Sequence, residues 1–143
     1  MLKNPLGFYG TSQGGGGALA LASVAKEFGS VVGAVAADEP FLTGFGMVHG
    51  RTNLGAYAMA LNALDVEKDE YHRRAMVRSM GMIDSHSHAH RMTYPVLLTA
   101  GDQDLACPGD TIHALFEKLP STRSITTYAN MTERIIDSSP SAC

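Results

Sequence analysis

Apolar residues gather into runs separated by glycine-rich and charged stretches, and the runs define the elements. "LGFYG" at 6–10 reads as a short buried strand. Residues 15–28 read as a helix, with Leu19, Leu21, Val24 and Phe28 supplying apolar contacts and Gly29 the stop. "SVVGAVAADEP" at 30–40 is a second strand of small and β-branched residues, closed by Asp38 and Pro40. "YPVLLTAGDQD" at 94–104 is a third, with Pro95 tolerated at its start. Pro108 can open a helix that runs to about Leu119, and "RSITTYA" at 123–129 is a fourth strand. Strands without polar alternation, separated by helices, predict an α/β fold whose mainly parallel sheet is covered on both faces.

Between Phe41 and Thr93 the pattern becomes helical, which predicts a helical excursion over about 46–92 between the second and third strands. Charges gather at 67–74, and Met76, Met80 and Met82 follow at a spacing that predicts core or interface packing. A polar tail occupies 134–143. With 143 residues, 1–143 reads as a single domain, and no internal repeat is visible.

Composition narrows the function classes. Hydrophobic residues make up 45% and charged residues 17%, which fits a chain with a real core. A net charge of −3 and the lack of a basic run argue against nucleic acid or an anionic membrane as partner. The apolar "ALALASVA" at 18–25 follows four glycines without a basic region immediately before it, so it reads as helix rather than as a signal peptide. No apolar run approaches the roughly 20 residues of a membrane span. Two cysteines, Cys107 and Cys143, make no disulfide framework. The expectation is a soluble cytoplasmic domain.

The chemistry lies in "LGFYGTSQGGGGALA" at 6–20, where Ser12 occupies a Gly-x-Ser-x-Gly frame between a strand and a helix. A catalytic serine needs a turn tight enough to lift its hydroxyl clear of the sheet, and Gly10 and Gly14 stand where side chains would obstruct that turn. The N–H of Gln13, at the helix start, would then face a developing oxyanion. Two other readings stay open: a glycine-rich turn in which Ser12 only caps the helix, and a dinucleotide loop. For the latter, residues 15–20 fit G-x-G-x-x-A and Asp38 ends the next strand. A phosphate loop fails because no Gly-Lys-Ser/Thr follows. After the third strand, "GDQDLACP" offers Asp104 as the acid that orients an imidazole, with Asp102 as a turn residue.

"YGTSQGGGGALALA", "AVAADEPFL" and "YPVLLTAGDQDLACP" together resemble the acetyl xylan esterase / cephalosporin C deacetylase family of α/β hydrolases, in order over about 6–130. The resemblance implies a partial α/β-hydrolase fold and an esterase acting on small acetylated sugars or related acetyl esters. It implies Ser12 as nucleophile, Gln13 as oxyanion donor and Asp104 as triad acid, with no metal or organic cofactor. The matching part begins at such a fold's fifth strand; the second oxyanion donor belongs to an earlier loop. The family's catalytic His should follow the last strand, where "YANMTERIIDSSPSAC" has none at Met131, Thr132, Glu133 or Arg134. No other histidine is nominated: His49 and His72 lie in the excursion without a visible partner, and His113 is in the helix after the acid loop. His86, His88 and His90 alternate in what reads as a solvated loop rather than a metal site. Poor ester hydrolysis by the chain alone is expected, because an unassisted serine is a weak nucleophile. Residues 6–10 would form an open sheet edge, which predicts a homo-oligomer helped by the Met-bearing helices of 55–82.

Overall fold

The computed structural model describes residues 4–48 and 55–129, with the side chains of residues 55 and 56 set aside. Four strands, β1 (Leu6–Thr11), β2 (Val32–Asp38), β3 (Val96–Gly101) and β4 (Arg123–Tyr128), lie in the order of the chain. All three pairings are parallel: Phe8 stands opposite Val35, Ala37 opposite Leu98, and Leu98 opposite Ile125. Every strand therefore ends at the same side of the sheet, and the functional loops gather there.

Period-two geometry sorts the strand residues by face. Val35, Ala37, Val96, Leu98 and Ala100 point inward and are buried with Leu19 of α1 (Gln13–Val24) and with Ile112 and Leu115 of α6 (Gly109–Lys118). The opposite face is not covered among the described residues: Tyr9 is 74% exposed, Leu97 44%, and Ala34 is exposed too. This corrects the expected two-sided cover and the expected burial of β1. Outward residues such as Ala34 and Leu97 are apolar, so hydropathy alone does not reveal which face a helix occupies. Among the described residues β1 is an edge of the sheet, as predicted.

Helix α1 contains Gly14, Gly15, Gly16 and Gly17 and so has little intrinsic stability. Burial of Gly15, Gly16, Ala18, Leu19 and Ala22 against the sheet holds it. It tightens into a 3₁₀ turn (Ala25–Phe28) and stops at Gly29, whose φ of 69° is the left-handed conformation glycine adopts freely.

The excursion is helical, as the periodicity predicts: α2 (Phe45–Val48), α3 (Gly55–Val66), α4 (Glu70–Ile83) and α5 (Ser85–His88), then a 3₁₀ turn (Ala89–Arg91). Tyr57 of α3 is its anchor, with ring centroids 4.1 Å from Phe41 and 4.9 Å from Phe45. Helix α4 is capped by Asp69, which accepts the His72 N–H at 2.9 Å, and has no buried residue. The histidine stretch is not a solvated loop. Its Ser85 and Ala89 are buried, so the segment turns helical to pack inward.

Candidate active site

Ser12 joins β1 to α1 with φ 53° and ψ −120°, a left-handed conformation that a residue with a Cβ adopts only under constraint. The constraint is visible. Its N–H donates to the Asp38 carbonyl at 2.8 Å, and its own carbonyl accepts the Phe41 N–H at 2.9 Å and the Gly16 N–H at 3.1 Å. Its side chain makes no capping bond to α1, unlike the expectation for a simple cap. The helix instead begins at Gln13, one of the first-turn N–H groups that have no acceptor within a helix.

The steric need for glycine is sharp at Gly10, where a Cβ would lie 2.1 Å from the Gly14 carbonyl oxygen. Gly14 itself faces open space, which corrects its assignment as an obstructing position. The second requirement falls at Gly16, where a Cβ would lie 2.0 Å from the Phe41 carbonyl oxygen. Gly10 is thus crowded by the first turn of α1 and Gly16 by the chain leaving β2, and the glycine spacing does not reveal the second.

Asp104 lies in the loop after β3 and is 4% exposed. Its Oδ1 accepts the N–H groups of Ala106 at 2.7 Å and Cys107 at 2.8 Å, while Oδ2 is buried with no hydrogen-bond partner among the described residues. Asp102 is exposed and acts in the turn, its N–H donating to the Tyr128 carbonyl. Cys107 joins the two candidate groups. Its Sγ lies 3.9 Å from Ser12 Oγ, across 95 residues of sequence, and its N–H is one of the two on Asp104. Sequence reasoning gave Cys107 no role at Ser12; the signal was its place three residues after the acid.

Among the described residues no imidazole is bonded to Asp104. His86 Nδ1 accepts from Lys118 Nζ at 3.1 Å, since an ammonium only donates, so its Nε2 carries the proton to the Thr111 carbonyl at 2.8 Å. His88 Nε2 meets the Met82 carbonyl at 2.7 Å, His113 meets Thr127 Oγ1 at 3.0 Å, and His72 lies near Asp69 and Glu67. His90 is exposed. His49 and the stretch holding Met131, Thr132, Glu133 and Arg134, with the polar tail and Cys143, lie outside the described residues. No group of three metal-ligating side chains occurs among the described residues.

Asp38, the candidate ribose ligand, is occupied within the fold: Thr99 and Thr11 hydroxyls both donate to its carboxylate. A cleft of about 900 Å³ is lined by Lys26, Glu27, Arg91 and Tyr94 at the amino ends of β2 and β3, opposite the end that carries Ser12.

Comparison with known proteins places these features. The family model described as acetyl xylan esterase matches residues 3–139. No curated protein matches the chain. Among solved structures, acetyl xylan esterase 1 from a Thermoanaerobacterium species is 27% identical with a TM-score of 0.76, covering 89% of this chain and 39% of that one. An acetyl xylan esterase from a Paenibacillus species is 26% identical with a TM-score of 0.77 and the same two coverages. Est1E from Butyrivibrio proteoclasticus, at 19% identity, shares the fold, with a TM-score of 0.62 over 91% of this chain and 53% of its own. The chain therefore spans about two fifths of the two acetyl xylan esterases it resembles.

Proposed function

The chain belongs to the acetyl xylan esterase family, and from that premise we propose that it carries the nucleophile and acid of a serine esterase. The substrates are acetylated sugars and related small acetyl esters, compounds of the cephalosporin C type included. The observation that carries this reading is the strained Ser12 elbow, with the Asp104 loop brought against it by Cys107.

In this reading Ser12 Oγ attacks the acetyl carbonyl carbon, and the oxygen that becomes negative takes a hydrogen bond from the Gln13 N–H. An imidazole from outside the described residues would remove the hydroxyl proton and return it to the departing sugar alcohol, and water would then release acetate by the same route. Asp104 accepts the other N–H of that imidazole through Oδ2, fixing its tautomer and stabilising its charged form. Two observations favour ester chemistry over a dinucleotide. Gly16 is closed by the Phe41 carbonyl, and Asp38 is held by Thr11 and Thr99.

Among the described residues no imidazole is bonded to Asp104, and in this reading the chain alone is a weak catalyst. Hydrolysis of p-nitrophenyl acetate is expected to run several powers of ten below that of a complete triad, and to be lost in Ser12→Ala. Turnover unchanged by Ser12→Ala overturns the nucleophile. Robust turnover that Ser12→Ala abolishes overturns the impairment.

A further inference from the structure

One segment grips Ser12 from both sides, Asp38 accepting its N–H and Phe41 donating to its carbonyl. That segment, residues 38–45, is itself irregular, with φ of 44° at Glu39, 64° at Leu42 and 71° at Gly44. Positive φ at a non-glycine residue is costly and persists only where the surroundings over-determine it. Here side chains do so. The Glu39 N–H donates to Thr99 Oγ1 at 2.9 Å, and the Thr43 N–H donates to the Tyr57 hydroxyl at 2.8 Å. The Gly44 and Phe45 N–H groups donate to Asp84, one to each carboxylate oxygen, at 2.8 and 2.9 Å.

Asp84 does more than hold those two amides. It accepts the His86 N–H at 2.9 Å, capping α5, and the neighbouring Ser85 N–H donates to the Leu42 carbonyl at 2.9 Å. The residue is 7% exposed, so each bond it loses leaves a donor poorly compensated by water. We infer that Asp84 is a positioning residue for Ser12. Its carboxylate locks residues 42–45 in place, and through Phe41 and Asp38 that lock fixes the backbone of the elbow. The helical excursion thus acts on the nucleophile without touching substrate. The catalytic meaning of this link rests on the proposed role of Ser12; the link itself does not.

Backbone amide exchange followed by NMR on the full chain tests it, comparing the parent with Asp84→Ser and Asp84→Asn. Serine keeps a cap for α5 but is too short to keep the bonds to Gly44 and Phe45. Asparagine keeps the shape and turns an N–H toward a backbone donor, which serves if the serine variant does not fold. Protection at the Ser12 and Phe41 amides is expected to fall about tenfold or more relative to Leu98 and Ile125. A uniform fall across the sheet, or an unchanged ratio, overturns the inference. No substrate enters this measurement, so its failure is separable from failure of the ester-hydrolysis assay.

Discussion

At φ 53° the Cβ of Ser12 is a steric burden that glycine would not carry. Ser12→Gly is therefore expected to raise the unfolding free energy by about 1 kcal/mol, read by urea denaturation, while removing the hydroxyl. Loss of stability on that change would mean that the side-chain contact with Cys107 outweighs the strain. The serine was legible because strand, turn and helix bracket it in sequence. The second obligatory glycine was not, because Gly16 meets a carbonyl from residue 41 and no local spacing encodes that meeting. Cys107 was missed beside Ser12 although it stands three residues after Asp104, because 95 residues of sequence separate it from the serine. Two tyrosines add a pH dependence. Burial pushes Tyr57 above the ordinary tyrosine range and raises Tyr94 from 10.0 to about 12. Between those two values the unfolded chain loses the Tyr94 proton while the folded chain keeps it, so stability falls as pH rises through this window. Denaturation midpoints from pH 9 to 12 are expected to decline, and Tyr94→Phe to flatten the decline.

The contrast between its glycines decides how helix α1 responds to substitution. Gly14 and Gly17 meet nothing that a Cβ would touch, whereas Gly16 does. Alanine at Gly14 and Gly17 together is expected to stabilise by about 1–2 kcal/mol through helix propensity. Gly16→Ala is expected to destabilise by about 1–3 kcal/mol or more, because the carbonyl it strikes belongs to the backbone that holds Ser12. Chemical denaturation of the two variants checks both signs. Helical periodicity made α3 and α4 readable from sequence, since each is long enough to repeat its pattern. It failed for α5, where four residues complete barely one turn and the alternating histidines mimic an extended stretch. What makes α5 helical is the Asp84 cap and the burial of Ser85, and both depend on residues 42–45.

For the whole molecule, parallel order and the family were legible, and the exposed face was not. Tyr9, Leu97 and the open side of β1 leave backbone groups and apolar surface facing solvent among the described residues. Such an edge is a template for another strand. The chain is accordingly expected to self-associate, with β1 or this face covered and with exposed Met59 and Met82 of α3 and α4 contributing. Sedimentation at micromolar concentration reads the state directly, and a monomer with protected amides in residues 6–10 would rule it out. No helix among the described residues is long and apolar enough to cross a membrane.

The 95-residue separation between Ser12 and Cys107 also sets a schedule. During synthesis, at about 5–20 residues per second, the elbow leaves the ribosome roughly 5–20 s before the loop that completes its surroundings. The close approach of Gly10 to Gly14 is local and can form at once, but the bonds with Asp38 and Phe41 need β2, and Asp104 needs β3 as well. The nascent chain thus carries Ser12 well before the residues that fix its backbone, and the turn acquires its geometry only when most of the described sheet has been made.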